Sequence, residues 1–551
     1  MMVVSLARAR SLRGVVMMET GNRLTGKEGS LVCATAWSPG LRDGLPRNGS
    51  GHMAITWRAG RIERVERVTP SEAAARIARG AIDRRDCHAV PGFVDAHLHF
   101  TLASMGLSKV DLSACASRVG FESRIAAGAA SLADGDWLEA QGWDESSWGG
   151  ALPDSSWLRA AGDRPAVAYR MDIHACVVND VLLRQLAREG ALDADPPGGT
   201  IVRDASGVPT GLLLEQAAWM LVNPRVPVPD AARRQAALLL GVSQLLGHGV
   251  TAVGSMEYAR EVREVLLPLA RLPVAMPTVA VTLLDRTLPL DLSVAREFRV
   301  EGRLKVIGAK SFADGTLGSR TAAMLEPYVG TESRGSLVEH AHDGTLVEWM
   351  RTVTAAGLSP SIHAIGDAAV RATLHAADAA GVPRGRLRIE HVQTLADEDL
   401  LRISGTFASM QPLHAASDMP GAAERLGPHR TRLLFRCGDI ARAGATLAFG
   451  SDWPVVPPDP MRAIRSAVTG RADDGCVYGH SLISAEEALV AHTEGAARCL
   501  ELWPECGSLA PGARADIALL DSDPLRCDWD AKPPRVCGVV LGGEMPLRGA
   551  A

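Results

Sequence analysis

Two histidines, His97 and His99, lie two residues apart at the end of the apolar segment PGFVDAHLHF, residues 91–100. On a β-strand, residues i and i+2 face the same side, so both imidazoles and Asp95 should point in one direction. Imidazoles and carboxylates bind zinc and similar divalent ions, and catalytic sites keep one position open for water. The segment therefore suggests a metal site, although each histidine taken singly is more simply a buried structural residue.

The same spacing recurs at His340 and His342, in the polar stretch VEHAHDGT, residues 338–345. No apolar run precedes this stretch, so we predict a solvated pair of loop histidines there. The spacing alone is thus a weak signal of a metal site. Other residues must distinguish the two pairs.

Four further polar residues lie near the ends of other apolar runs, namely Lys310, His363, His391 and Asp452. In a parallel barrel the carboxyl ends of all strands lie on one rim, where catalytic residues gather. We therefore predict that these four side chains join the first two histidines in a single site.

Eight short apolar runs, separated by helix-length segments, predict β/α units around a parallel sheet. They cover residues 92–100, 249–256, 273–281, 304–314, 359–367, 387–393, 406–412 and 446–454. Alanine-rich amphipathic stretches such as 367–381 lie between several of them and favour helix. Together these patterns predict an α/β fold with a (β/α)8 TIM barrel.

Two regions of the chain are not accounted for by eight β/α units. About 150 residues separate the first two strands, far more than a loop spans, so we predict a large subdomain over about 115–245, inserted after strand 1 above the barrel mouth. Short strand patterns also occur at residues 31–37, 53–65, 507–524 and 535–547. We predict a small composite β-domain over 30–90 and 500–547, beside a barrel domain over 91–499.

The composition is that of an ordinary soluble globular protein, with 47% hydrophobic and 22% charged residues. A formal net charge of −5 offers no basic excess for nucleic acid or an anionic membrane. The ten cysteines include no C-x-x-C pair, which predicts reduced thiols in a cytoplasmic protein. Residues 1–29 have neither a clear strand or helix pattern nor a signal peptide, so we expect a disordered extension.

Two of the candidate residues would have special chemistry near a metal. A bound divalent ion lowers the pKa of its water to about 7, and Asp452 could take up the proton that this water loses. The ammonium of Lys310 would be repelled by cations, whereas a carbamate formed with CO₂ would be a bridging carboxylate. An ordinary ion-pairing lysine remains an open alternative.

Several motifs extend these observations over nearly the whole chain from about residue 30. They are PGFVDAHLH (91–99), GWDESSW (142–148), TIVRDASGVPTGLLLE (200–215), KSFADGTLGSRTA (310–322), HAIGDAA (363–369), RIEHVQ (388–393), SMQPLH (409–414), GSDWPV (450–455) and PGARADIALLD (511–521). Together they resemble the amidohydrolase superfamily, specifically amidohydrolase family 3 in its YtcJ-like branch.

The resemblance implies a distorted (β/α)8 barrel with a β-sandwich domain built from both termini. It also implies a metal-dependent hydrolase that cleaves a C–N bond, other than a peptide bond, of an amide or N-acyl small molecule, including N-formyl compounds. Metal-bound hydroxide would attack the carbonyl, and we expect two zinc ions. The resemblance leaves open whether the protein forms a homo-oligomer.

The resemblance also implies a role for each site residue. The metal ligands would be His97, His99 and Asp452 at the first ion, and Lys310, His363 and His391 at the second. Lys310 would be carboxylated and bridge the two ions, and Asp452 would also act as the catalytic proton shuttle. Asp95 would orient a histidine from behind. The expected substrate-binding residues are Trp143, Asp144, Asp172, His174, Asp314, Arg320 and His414.

Two alternative functions remain open at this point. One is a single-metal deaminase or a cyclic-amide ring-opening hydrolase, which would need no bridging carboxylate at Lys310. The other is a non-catalytic regulatory barrel protein that binds metal. The presence of every expected ligand favours an enzyme.

Overall fold

The computed structural model of the chain describes residues 28–39, 51–133, 135–171, 175–196, 199–284, 289–471, 477, 479 and 481–546. These residues fall into two compact units, since Ser104–Ala237 separates from the chain on either side of it. The extension expected over residues 1–29 lies almost wholly outside the described residues.

The strands of the described residues are numbered in chain order. They are β1 (Gly29–Ala36), β2 (His52–Arg58), β3 (Arg61–Val68), β4 (Ile82–Pro91), β5 (Phe93–Leu98), β6 (Val110–Asp111), β7 (Leu138–Trp143), β8 (Ala166–Arg170), β9 (Ala175–Val178), β10 (Gly199–Arg203), β11 (Pro209–Glu215), β12 (Val250–Glu257), β13 (Thr278–Leu283), β14 (Leu304–Phe312), β15 (Ser359–Ala364), β16 (Arg388–His391), β17 (Phe407–Met410), β18 (Thr446–Phe449), β19 (Ile517–Leu520) and β20 (Val536–Val540).

The α-helices are numbered in the same way. They are α1 (Pro70–Ala78), α2 (Phe100–Gly106), α3 (Arg118–Ser131), α4 (Asp180–Arg188), α5 (Ala231–Gly247), α6 (Ala259–Glu261), α7 (Leu267–Ala270), α8 (Val294–Glu297), α9 (Glu339–Asp343), α10 (Leu346–Ala355), α11 (Asp367–Ala380), α12 (Ala415–Asp418), α13 (Ala422–Leu426), α14 (Cys437–Arg442), α15 (Pro460–Thr469), α16 (Ala485–Val490) and α17 (Ala496–Cys499). Short 3-10 and π-helical turns extend or link several of them.

A nearly closed parallel sheet forms the centre of the larger unit. Its strand order is β18-β17-β16-β15-β14-β13-β12-β5, and every neighbouring pair is parallel. Strands β5, β12, β13 and β15 are buried at every position, as expected of a parallel sheet covered on both faces. The prediction of a (β/α)8 barrel is confirmed, and each of the eight apolar runs overlaps a barrel strand, although β12 and β13 extend past the ends of their runs.

The two ends of the chain meet in a second sheet of order β20-β19-β4-β1-β2-β3. Helix α1 packs on one face of this sheet and begins with a capping box between Thr69 and Glu72. Strand β4 leads through Gly92 directly into barrel strand β5. A Cβ atom at Gly92 would lie 2.1 Å from Thr251 Oγ1, so this close approach requires glycine. The composite sheet therefore leads straight into the strand that carries His97.

The smaller unit has its own mixed sheet, of order β10-β11-β9-β8-β7-β6. Its core contains Phe121 and Trp157, whose rings pack edge to face with centroids 5.3 Å apart. Trp143 is fully buried in the same core, and its Nε1 donates to Ala168 O at 2.9 Å. The ring of Trp143 therefore packs within this unit, and the expected substrate contact at this residue stays a prediction.

The second histidine pair is also corrected by the structure. His340 and His342 lie in helix α9, not in a loop, so the two side chains do not share a face. His340 is buried, hydrogen-bonds to Thr345 Oγ1 at 2.7 Å, and stacks on Trp349.

Among the described helices, none combines the length and apolar character needed to cross a lipid bilayer.

A buried histidine outside the rim generates a prediction about acid stability. His492 packs edge-on against Phe93 and Phe449, and burial lowers its pKa from 6.5 to about 4. The unfolded chain therefore binds this proton between pH 6.5 and 4 while the folded chain does not, so stability falls as pH falls through that window. His492→Leu should remove about 3 kcal/mol of the loss in unfolding free energy between pH 7 and pH 4.

Urea unfolding at several pH values measures this difference. His342→Gln, at an exposed histidine, is the matched control and should follow the wild-type curve. Parallel curves for His492→Leu and the wild type would contradict the assignment.

Candidate metal centre

The predicted ligands meet at the carboxyl-terminal rim of the barrel. Lys310 and His363 lie in β14 and β15, and His391 is the last residue of β16. His97 lies in β5, and Asp452 follows β18 by three residues. The parallel order of the strands brings these side chains together.

One cluster joins the first and last strands of the barrel. The Nε2 atoms of His97 and His99 lie 3.4 and 3.3 Å from Asp452 Oδ1. One ligand atom from each of the three residues lies within 4.8 Å of the others, as a divalent ion requires. His97 is fully buried, whereas the side chain of His99 is 19% exposed to solvent.

A second cluster shares Asp452 and contains His391 and His414, again with ligand atoms within 4.8 Å. The rings of the two histidines are stacked with centroids 6.2 Å apart. His414 lies in a 3-10 turn (Pro412–His414) after β17, a strand to which the sequence assigned no metal ligand. The motif SMQPLH indicated His414 as a site residue, but it did not indicate that His391 and Asp452 would lie beside it.

Lys310 and His363 complete the group. Lys310 Nζ lies 3.0 Å from His97 Nε2 and 4.9 Å from the centroid of the Phe312 ring. His363 stands 4.4 Å from His391 between ring centroids, and its Nε2 donates to Gly315 O at 3.0 Å. All six predicted ligands thus lie in one group.

Two hydrogen bonds determine which ring nitrogen of two histidines can bind an ion. His97 Nδ1 donates to the carboxylate of Glu390 at 2.7 Å, and His391 Nδ1 donates to Gln411 Oε1 at 2.8 Å. Because Nδ1 carries the proton in each ring, Nε2 keeps the lone pair. Such orienting partners are typical of metal-ligating histidines.

Glu390 itself belongs to a buried ion pair inside the barrel. Its Oε1 lies 3.0 Å from Arg388 and accepts from Ser361 Oγ at 2.5 Å, and both charged residues are at most 1% exposed. Arg388 also donates to Ala96 O on the first barrel strand. Sequence reasoning missed both residues, although charges at i and i+2 in RIEH place two charged groups on the inner face.

The electrostatics of the centre suit a cation. Burial lowers the pKa of His97 to about 4 and that of His363 to about 3, and the positive charge of Lys310 adds to both shifts. Burial likewise holds the pKa of His391 well below its usual range. Burial opposes ionisation of Asp452, but the neighbouring imidazoles, His97 foremost, hold its pKa well below the ordinary value. Neutral imidazoles and an ionised carboxylate are the forms that bind divalent metal.

Asp95 lies beneath the first cluster and contacts the backbone. Its Oδ1 accepts the main-chain N–H groups of His97 and Ser451, each at 3.1 Å. It therefore orders the chain at His97 rather than the ring that the sequence led us to expect. A Cβ atom at Gly450 would lie 2.5 Å from His97 N, so glycine permits the approach of the two segments.

Backbone hydrogen bonds continue this contact to the ligands themselves. Asp452 N donates to His97 O at 2.6 Å, and His99 N donates to Trp453 O at 2.9 Å. Asp452 and His391 have φ angles of 56° and 75°, which non-glycine residues rarely adopt. Each such outlier costs on the order of 1–3 kcal/mol and persists only where the surrounding structure holds it.

The remaining expected substrate residues differ in their surroundings. Asp314 accepts the backbone N–H groups of Ala323, Ile365 and Gly366 at 2.8–3.0 Å, so its carboxylate orders two loops beside His363. The expected substrate role of Asp314 stays a prediction. Arg320 is exposed in the turn that follows β14, and Asp144 is half-buried at the end of β7. Asp172 and His174 lie outside the described residues.

Comparison with known proteins agrees with this geometry. The model of the amidohydrolase family matches residues 80–545. The chain is 32% identical over 454 residues to the putative amidohydrolase YtcJ of Bacillus subtilis (strain 168), covering 80% of this chain and 84% of the relative. It is 25% identical over 497 residues to the N-substituted formamide deformylase of Arthrobacter pascens, covering 86% and 91%.

A solved structure shares the fold over almost its full length. The crystal structure of an uncharacterised metal-dependent hydrolase from Pyrococcus horikoshii OT3 superposes with a TM-score of 0.72 and 25% sequence identity. The match covers 92% of this chain and 99% of that one.

The contact between Glu390 and His97 predicts an effect on metal affinity. Glu390→Gln replaces the ionised acceptor at His97 Nδ1 and makes Nε2 a poorer ligand, so Zn²⁺ should bind about 10–100-fold more weakly. Competition with a chromophoric chelator measures the affinity without any substrate. Glu398→Gln, at a side chain that is 77% exposed, is the control. Equal affinity in Glu390→Gln and the wild type would contradict the orienting role.

Proposed function

The chain belongs to the amidohydrolase family, and on that basis we propose that it is a metal-dependent hydrolase that cleaves the C–N bond of an amide or N-acyl small molecule. The observation that carries this proposal is the convergence of His97, His99 and Asp452 at the barrel rim. The relative named N-substituted formamide deformylase supports an N-formyl compound as one substrate class. The dispersed cysteines support a cytoplasmic location for the enzyme.

We propose two zinc ions, the first held by His97, His99 and Asp452. The second would be held by His391 with a carboxylated Lys310 and His363. The donor set fits, because it consists of neutral imidazoles and a carboxylate, which suit zinc. When bound, divalent zinc supplies Lewis acidity and activates water at neutral pH.

The residues of the chain supply the proton transfer. Asp452 is ionised and lies 3.3 Å from His99 Nε2 at the partly exposed side of the cluster. Its carboxylate can accept a proton from the attacking water and pass it to the leaving nitrogen. His97 and Asp95 hold the backbone beside it through Asp452 N and Ser451 N, so the carboxylate has a defined position.

A second candidate is a single-metal deaminase or cyclic-amide ring-opening hydrolase. It is favoured if Lys310 keeps its amino group, because Nζ then faces the lone pair of His97 Nε2 at 3.0 Å. An ammonium at that distance opposes a second cation. The state of Lys310 therefore separates the two candidates.

Removing the carboxylate of Asp452 tests the proton shuttle. Asp452→Asn should lower kcat by about 10²–10⁴-fold, because the amide cannot take up a proton. Activity is measured on the best substrate of the wild type, with circular dichroism to check folding. Asp83→Asn, at an exposed residue of β4, should keep full activity. A loss of less than tenfold in Asp452→Asn would overturn the assignment.

The state of Lys310 can be tested by chemical rescue. Lys310→Ala should lose most metal from the second position and about 100-fold or more of the activity, and millimolar acetate or propionate should restore part of both. The added carboxylate would replace the carbamate. Lys305→Ala, on the same strand, is the control. Unchanged metal content in Lys310→Ala, with no response to carboxylates, would favour the single-metal candidate.

A substrate panel tests the bond class. Aliphatic and aromatic N-substituted formamides, longer N-acyl amines, cyclic amides and aminopurines would be supplied to the zinc-loaded enzyme, with product amine and ammonia measured separately. We expect release of an amine from formamides or N-acyl amines. Ammonia release from aminopurines alone would instead identify a deaminase.

A further inference from the structure

A pair of cysteines lies apart from the metal centre, in the composite sheet. Cys87 is in β4 and Cys537 is in β20, 450 residues apart in the chain, and their Sγ atoms lie 3.0 Å from each other. A disulfide bond is about 2.05 Å long, so closing it requires a movement of only about 1 Å. Both side chains pack in the core cluster of this sheet.

The strand register explains how two non-neighbouring strands bring these sulfurs together. Strand β19 lies between β4 and β20, and it ends at Leu520, which pairs with His88 on β4 and Val536 on β20. Cys87 is one residue beyond the pair formed by His88. Cys537 lies at the irregularity of register between β19 and β20, where its Sγ contacts Leu519 O at 3.4 Å. The sulfurs therefore meet beside the end of β19.

We propose that Cys87 and Cys537 form a thiol–disulfide exchange site that takes a low-molecular-weight disulfide, such as oxidised glutathione, and ends as a crosslink between β4 and β20. Cys537 is half-buried, so a small disulfide can reach it, whereas Cys87 is 3% exposed. Burial, and then the neighbouring Cys537 sulfur, raises the pKa of the Cys87 thiol. Cys537 is accordingly the attacking group and Cys87 the resolving group.

The exchange takes place in two balanced steps. The Cys537 thiolate attacks one sulfur of the small disulfide, which forms a mixed disulfide and releases one thiolate. Cys87 then loses its proton to solvent and attacks Cys537 Sγ, which forms the internal disulfide and releases the second thiolate. Two protein thiols are oxidised, and one small disulfide is reduced to two thiols.

The crosslink would act on the part of the fold that supports β5, the strand that carries His97. Strand β4 leads through Gly92 into β5, which carries His97, and Gly92 N donates to Asp516 O just before β19. A bond from Cys87 to Cys537 closes a loop between two residues 450 positions apart in the chain and ties β20 to this point. Such a closure stabilises the folded state mainly by restricting the unfolded chain.

The test uses the full-length, metal-loaded protein, treated with oxidised glutathione or with a reductant. Peptide mapping by mass spectrometry under non-reducing conditions identifies the linked residues, and thermal unfolding measures stability. We expect a Cys87–Cys537 peptide and a Tm increase of about 2 °C or more that a reductant reverses. The metal content should not change.

Variants of single cysteines make the result specific. Cys537→Ser and Cys87→Ser should each lose both the linked peptide and the oxidation-dependent Tm shift, and either variant serves if the other folds poorly. Cys527→Ser, at another half-buried cysteine, should retain both. Three outcomes would overturn the proposal: glutathione retained on Cys537 without the internal bond, a linked peptide without a Tm shift, or a Tm shift that survives in Cys537→Ser.

Discussion

The site depends on how the first barrel strand meets the segment that follows the eighth. Asp452 N donates to His97 O, His99 N donates to Trp453 O, and Asp95 accepts backbone N–H groups from both sides of the junction. Backbone groups buried at a sheet edge must find partners, and these hydrogen bonds join the first strand of the nearly closed barrel to the segment after its last strand. The same hydrogen bonds bring the carboxylate of Asp452 to the two histidines. The contacts that join the two ends of the sheet therefore also position the ligands.

Many polar groups are buried at this junction, and each needs a hydrogen-bond or charge partner to offset its lost hydration. Burial keeps the imidazoles neutral, while the pair of Arg388 and Glu390 supplies a compensated charge beneath His97. A buried ion pair is weak evidence for stability, because desolvation offsets much of its attraction. Its clearer consequence here is positional, since Glu390 determines which nitrogen of His97 faces the rim. The left-handed backbone at His391 and Asp452 is likewise a positional feature, because such strain persists only where the surrounding structure holds it.

Local patterns in the sequence were sufficient to predict the barrel strands and to bring six candidate ligands to one rim, because both depend on apolar runs and the residues that end them. Other features depend on neighbours that are distant in the chain. Glu390 and Gln411 orient histidines on or beside other strands, and His414 joins a cluster through Asp452. Trp143 lies in a motif of the family, yet its ring packs inside the smaller unit. Spacing identifies candidate residues, but only the packed structure shows which atoms face each other.

We propose that the rim of the barrel is a two-ion centre built on His97, His99 and Asp452. Anomalous diffraction at the zinc edge, on crystals of the protein grown with zinc, tests directly whether these side chains bind two ions. We expect two anomalous peaks, one contacted by His97, His99 and Asp452 and one contacted by His391. Zinc bound elsewhere on the chain, with no peak among these side chains, would contradict it.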